Sequence, residues 1–163
     1  MLLTSPAIIQ VAWVTEDPAA LESLLHDRFG CGPWTRLPGI EFGPDSCVFR
    51  GEPSDFVADI SLAYAADLQL EVIRPVRGES IYTEFLTAHG AGLHHVCYQV
   101  DDLAAAMTEA EAEGLPVVQH GVMAGGSLKF AYLDGAQFGA PYLELAEIGP
   151  DMQAFFDSLK AAR

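Results

Sequence analysis

Four side chains in this sequence have the types and spacing of a divalent-metal site: Gln10, Glu71, His95 and Glu144. His95 lies in Gly92-Leu93-His94-His95-Val96-Cys97-Tyr98-Gln99-Val100-Asp101-Asp102-Leu103, which reads as a strand running through Asp into a helix. A weaker copy of that shape, Ile9-Gln10-Val11-Ala12-Trp13-Val14-Thr15-Glu16-Asp17, puts Gln10 at the position matching His95, 85 residues earlier. That offset is about half the chain, so the sequence reads as a duplicated unit. Each half also ends in a strand carrying one carboxylate among apolar neighbours, Leu70-Glu71-Val72-Ile73 and Tyr142-Leu143-Glu144-Leu145. An unpaired carboxylate is costly in such surroundings, so each calls for a partner.

Strand parity decides whether the four can meet. Successive side chains alternate faces, so His95 groups with Cys97 and Gln99, and Gln10 with Ala12 and Val14. Glu71 groups with Gln69 and Ile73, and Glu144 with Tyr142 and Ala146. All four candidates fall on the face away from the helices. Two such sheets curling together form a cleft lined by one amide oxygen, one imidazole and two carboxylates, a donor set for an octahedral divalent ion with positions open to water or substrate.

The elements that position them follow from periodicity. Residues 8–15 are β-prone; Asp17-Pro18 opens a helix ending at Gly30, with Leu21, Leu24, Leu25 and Phe29 on one face. Antiparallel strands follow around Trp34–Leu37, Cys47–Arg50, Phe56–Ala65 and Leu68–Val76. A linking helix is expected over 79–90. The order then repeats: strand 93–100, helix from Leu103 to Glu113, strands near 116–120, 127–133 and 141–148, and a closing helix over 151–162. The expectation is an α+β chain forming a single domain over 1–163, made of a module at 6–78 and a module at 92–148.

Composition narrows the partners. Twenty-three acidic against eight basic residues give a net charge of -15, which argues against nucleic acid and anionic membrane. The basic residues are scattered rather than clustered. Met1–Pro6 lacks a positive segment leading into an apolar run, and no stretch approaches the roughly 20 apolar residues of a membrane span. A soluble cytoplasmic protein is expected. Cys31, Cys47 and Cys97 are odd in number and widely spaced, and read as small buried residues rather than a disulfide framework or thiolate zinc site.

The Leu-His-His-Val-Cys-Tyr-Gln-Val-Asp-Asp-Leu run, the Leu-Glu-Val-Ile-Arg-Pro-Val strand, and Phe-Ala-Tyr-Leu-Asp followed by Leu-Glu-Leu resemble the vicinal oxygen chelate superfamily, closest to its glyoxalase and methylmalonyl-CoA epimerase branch. The resemblance spans nearly the whole chain. It implies paired βαβββ modules forming a half-open barrel around one divalent ion (zinc, nickel, cobalt, manganese or magnesium), with Gln10, Glu71, His95 and Glu144 as ligands. Gln10 stands where epimerases of the branch usually carry His and where glyoxalase I accepts Gln. By the same resemblance Glu144 is the leading general base, Glu71 its pseudo-symmetric second, and the chain pairs into a homodimer.

The chemistry implied is isomerisation, epimerisation or lyase action on a small carbonyl substrate through a metal-stabilised enolate. The scarcity of Lys and Arg favours a smaller or more apolar substrate over a CoA thioester or glutathione adduct. A metal-free sequestering protein of the same fold is the alternative. An extradiol-type dioxygenase is a weaker one, because only one of the four positions is His. Glu41 on Ile40-Glu41-Phe42 is a third acid that could face the cleft. Arg74 could pair with Glu71, although parity opposes it, and His94 reads as scaffolding toward the helix layer. Gly121–Gly126 reads as a flexible loop able to gate the cleft, and Trp34, Phe49, Phe56, Tyr64, Phe130 and Tyr132 read mainly as core.

Overall fold

The computed structural model describes residues 7–162; the Met1–Pro6 segment, from which the lack of a leader was read, and Pro6 as the first residue of the 6–78 module lie outside them. In chain order the elements are β1 (Ile8–Val14), α1 (Pro18–Phe29), β2 (Thr35–Phe42), β3 (Cys47–Phe49), β4 (Glu52–Pro53), β5 (Phe56–Ala65) and β6 (Leu68–Arg77), then α2 (Ile81–His89). There follow β7 (Gly92–Gln99), α3 (Leu103–Ala112), β8 (Val117–Met123), β9 (Leu128–Asp134), β10 (Tyr142–Ile148) and α4 (Pro150–Ala161).

Local chemistry sets the helix starts. The Asp17 carboxylate accepts from the Ala20 amide at 3.0 Å, with Pro18 at the first helical position, and Gly30 ends α1 in the left-handed conformation at φ 70°. Asp102 repeats the cap on the Ala105 amide at 3.0 Å. The two Asp therefore do the same work at the same point of each half. Ser80 and Thr83 form a reciprocal capping box that starts α2.

One ten-stranded sheet runs in the order β2-β5-β6-β1-β7-β10-β9-β8-β3-β4. β1 lies parallel to β6 and antiparallel to β7, and β7 lies parallel to β10. Two βαβββ units thus stand edge to edge, with β1 and β7 at the seam. The sheet curls enough that Phe42 of β2 meets Phe130 of β9 edge to face at 5.8 Å, although five strands separate β2 from β9 in the sheet order. The result is a half-open barrel with an α+β architecture and four α-helices among the described residues.

The two faces carry different cores. Inside the curl lie Phe42, Phe56, Tyr82, Phe130 and Tyr132, and outside, under α3, lie Val100, Leu103, Ala106, Leu133 and Leu145. Alternation along β9 and β10 makes the division, sending Phe130, Tyr132 and Glu144 inward and Ala131, Leu133 and Leu145 toward α3.

Two local expectations change. The Cys47–Arg50 strand does not join its own half: β3 pairs with β8, Val48 opposite His120, so the β3–β4 hairpin extends the far edge of the sheet. Gly121–Gly126 is not a loop throughout, since β8 continues to Met123 and the remainder is a tight 3-10 turn. Gly121 sits there because a Cβ would come within 2.6 Å of the Ser46 carbonyl oxygen and 2.9 Å of Phe130 Cζ. Among the described residues no helix is long and apolar enough to cross a membrane.

Candidate metal centre

Strand register brings the four candidate residues to one place. On the inner face, Glu71, Ala12 and His95 form one cross-strand row, and Gln69, Gln10, Cys97 and Glu144 form the next. Ala12 separates Glu71 from His95, and Cys97 separates Gln10 from Glu144. Both spacers are small and buried, so Glu71 reaches past Ala12 to His95, and Gln10 and Glu144 reach His95 from either side of Cys97. The arrangement has the pseudo-twofold symmetry of the duplication, exchanging Gln10 with His95, Ala12 with Cys97 and Glu71 with Glu144.

Three oxygens converge on one nitrogen. His95 Nε2 is 3.0 Å from Glu144 Oε2, 3.2 Å from Gln10 Oε1 and 3.5 Å from Glu71 Oε2. All four residues are buried. Gln10 is aimed by its neighbour: its Nε2 donates to Gln69 Oε1 at 2.7 Å, and Gln69 Nε2 donates to the Tyr64 hydroxyl at 2.9 Å. With its amide nitrogen committed outward, Gln10 presents oxygen to the centre. His95 is held from its other side, Nδ1 lying 2.9 Å from His94 Nδ1.

Electrostatics follow from burial and crowding. Burial alone would lower the His95 pKa, but Glu144 and Glu71 override it and push it up to about 9. His94 goes the other way, well below the ordinary histidine range, because it is buried and beside His95. A neutral His94 has one ring N–H, so its Nδ1 can accept from His95 Nδ1–H. Burial raises the Glu71 carboxyl, with His95 pulling against it. The Cys97 thiol is pushed well above its ordinary value by burial and then by Glu144, so it stays a thiol and serves as a spacer.

The donor set fits a divalent ion. Ligands about 2.1 Å from an octahedral ion stand about 3.0 Å apart at adjacent vertices, and the contacts to His95 Nε2 run from 3.0 to 3.5 Å. Among the described residues no group of three or more His, Cys, Asp and Glu side chains is spread into a finished metal cage. The donors rest on each other instead, with the His95 Nε2 proton directed at Glu144. An ion bound here would replace that proton, while the His95 Nδ1–H would keep its bond to His94 and orient the ring.

Above the cluster is a cavity of about 70 Å³. Gln10, Glu71, Glu144, Tyr82 and Tyr132 supply its polar surface, and apolar residues supply the rest. The Tyr82 and Tyr132 hydroxyls lie 2.8 Å apart. Burial holds both well above the ordinary tyrosine value, so both keep their protons. A larger hollow of about 330 Å³ lies outside the barrel between β8 and α3, where Lys129 and Glu147 neutralise each other at 2.5 Å; it shares no lining residue with the cluster.

Other sequence candidates fall elsewhere. Glu41 is exposed while its neighbour Phe42 enters the cavity, which removes Glu41 from the cleft. Arg74 pairs with Asp59 at 2.5 Å, on the side parity assigned to it. His94 is scaffolding beneath α2, stacked near Tyr82, Phe85 and Tyr142, and it also touches the site through His95. Cys97 is the small buried residue on the His95 face that the sequence indicates, whereas Gln69 and Tyr82 were not singled out as site residues. The parity argument that grouped Gln69 with Glu71 carried the signal for the first; for Tyr82, on a helix remote from the strands, there was none.

Twin βαβββ units curled around a buried nitrogen and oxygen donor set define a protein of the vicinal oxygen chelate class. The family profile of the Glyoxalase/Bleomycin resistance protein/Dioxygenase superfamily matches residues 9–132, and the chain belongs to that superfamily. The match includes Gln10, Glu71 and His95 and ends before Glu144. No curated protein matches the sequence. Among solved structures the chain is similar to hypothetical protein BH1468 from Bacillus halodurans C-125, at 16% identity and TM-score 0.64, covering 88% of this chain and 95% of that one. It is also similar to methylmalonyl-CoA epimerase from Mycobacterium tuberculosis, at 19% identity and TM-score 0.62, covering 94% and 97%. A Streptomyces coelicolor methylmalonyl-CoA epimerase variant in complex with 2-nitronate-propionyl-CoA follows at 15% identity and TM-score 0.60, covering 90% and 97%. At these identities the likeness is one of fold.

Proposed function

We propose that this chain is a divalent-metal-dependent enzyme that moves a proton beside a carbonyl, as an isomerase, epimerase or lyase working on a small carbonyl substrate through an enolate. The observation that carries the reading is the meeting of Gln10, Glu71 and Glu144 oxygens on His95 Nε2 beneath an apolar cavity. Gln10, Glu71, His95 and Glu144 would hold the divalent ion, whose Lewis acidity would stabilise negative charge growing on a substrate oxygen.

The chain's own groups handle the proton. Glu144 lines the cavity and is the leading base. Glu71, its twofold counterpart, lines the same space and is the second candidate, for returning the proton. Tyr82 and Tyr132 carry two hydroxyl protons and share one hydrogen bond, which leaves one proton to donate to a substrate oxygen. Phe42, Ile60, Leu62 and Phe130 exclude water from the same space. Epimerases among the structural neighbours, one of them in complex with methylmalonyl-CoA and NH4+, favour proton exchange next to a carbonyl.

A metal-free binding protein is the second reading, favoured by the direct 3.0 Å contact between His95 and Glu144, which satisfies both groups without an ion. Cobalt uptake separates the two. The purified chain is expected to bind close to one cobalt ion and the His95→Ala variant none, and the loaded chain is expected to wash deuterium into a substrate's α-carbon position. Wild-type protein that takes up no metal overturns the enzymatic reading.

A further inference from the structure

The cavity roof is α4. Met152, Phe155 and Phe156 reach down from this helix to line the space whose floor is Gln10, Glu71 and Glu144. Of the helix's residues only Met152 is fully buried, so the two phenylalanines lie across the opening rather than deep in the core. The helix is attached at its ends. Gly149 N–H donates to the Ser127 carbonyl at 2.8 Å before its first turn, and Lys160 pairs with Asp67 on the β5–β6 turn at 2.6 Å near its last.

Size and charge then constrain the occupant. Ligand pockets usually measure about 300–1,000 Å³, whereas this one measures about 70 Å³, the liquid volume of roughly two waters. The reacting carbonyl and its neighbour fill it, so the rest of a substrate must push the Phe155 and Phe156 rings aside and pack against them. Among the described residues no Lys or Arg lines the cavity. Arg36, Arg50, Arg74, Arg77, Lys129 and Lys160 are all engaged with carboxylates outside the cavity. A phosphate or carboxylate lying within the cavity would be buried against aromatic carbon without a counter-charge, at a cost that excludes it there.

Resting on the enzymatic reading above, we infer that α4 selects the substrate: an uncharged carbonyl compound with an aryl or branched aliphatic substituent, which packs against the Phe155 and Phe156 rings.

The test ranks matched probes on the full chain. Cobalt-loaded protein is titrated with acetohydroxamate, benzohydroxamate and 4-carboxybenzohydroxamate, which share one chelating group and differ in the tail. Benzohydroxamate is expected to bind at least tenfold tighter than either of the others. The Phe155→Ala and Phe156→Ala variants should shrink the benzo-to-aceto ratio several-fold. On metal-free protein, acetophenone is expected to bind tighter than 4-acetylbenzoate by ligand-observed NMR, a ranking that stands whether or not cobalt binds. Equal or tighter binding of the carboxylated probe in either series, or a benzo-to-aceto ratio near one, overturns the inference. Failure of cobalt uptake with the neutral preference intact overturns only the metal-dependent reading.

Discussion

Gln69 decides which end of the Gln10 amide faces the centre. It accepts from Gln10 Nε2 at 2.7 Å and is itself anchored on the Tyr64 hydroxyl at 2.9 Å, so Gln10 Oε1 is left pointing at His95. A Gln69→Leu substitution keeps the volume but removes the acceptor, leaving the Gln10 amide free to turn its nitrogen inward. Loss of an outer hydrogen bond of this kind costs roughly 10–100-fold in metal affinity. Competition titration with a chromogenic chelator should show that loss, with the melting temperature of the metal-free chain changed little; unchanged affinity would remove Gln69 from the site. The four central residues were legible in the sequence because strand parity and the 85-residue offset both act on the backbone, which the sequence specifies directly. Gln69 and His94 were less legible, because a side chain that aims another one is set by head-group contacts, and these follow no sequence period. The His94 ring faces the helix layer as parity requires, yet its Nδ1 reaches back to His95.

At the scale of elements, the seam strands β1 and β7 were readable from their repeated shape, and the helix caps from Asp17 and Asp102. The destination of β3 was not. Three residues carry too little pattern to name a partner, and the pairing depends on the curl of the whole sheet, which brings β8 within reach of Cys47–Phe49. That junction has one sharp requirement. Cys47 lies opposite Gly121, where the missing Cβ would meet the Ser46 carbonyl oxygen at 2.6 Å, Phe130 Cζ at 2.9 Å and Cys47 Cα at 3.3 Å. Two of these are backbone atoms with little freedom to yield. Gly121→Ala should therefore push β3 away from β8 and tilt the Phe130 ring, costing about 1–3 kcal/mol, measurable as a lower midpoint in urea. Gly39→Ala makes a useful contrast: it has no neighbour within 4 Å of the added carbon, so its cost comes only from its positive φ of 66°. If Gly121→Ala proves as stable as wild type, β3 is not packed on β8 as described.

At the scale of the molecule, the buried cluster and the acidic surface give opposite responses to pH. Within the metal-free chain the fold raises the His95 pKa from its ordinary 6.5 to about 9 and raises that of Glu71 as well, so the native state holds protons that the unfolded chain would release. For a raised pKa the stabilisation is complete below the unfolded value and is lost as pH climbs through the folded one. For His95 the window is pH 6.5 to about 9, and the gap corresponds to at most about 3 kcal/mol. Surface carboxylates behave oppositely: Asp59 and Glu84 are held below their ordinary values, the first chiefly by the Gly39 amide and the second by Arg50. Their smaller contribution is present above the unfolded pKa and fades as pH falls through the folded one. The metal-free chain should thus melt highest in mildly acidic buffer and progressively lower between pH 6.5 and 9. A divalent ion bound as proposed would take the place of the His95 Nε2 proton, so rising pH should strengthen metal binding over the same interval. Saturating cobalt should then flatten the alkaline fall in melting temperature, and His95→Gln should flatten it without metal. Metal-free wild-type protein with the same melting temperature at pH 6.5 and 9 would show that His95 does not hold its extra proton against Glu144, and with it would go the electrostatic picture of the centre.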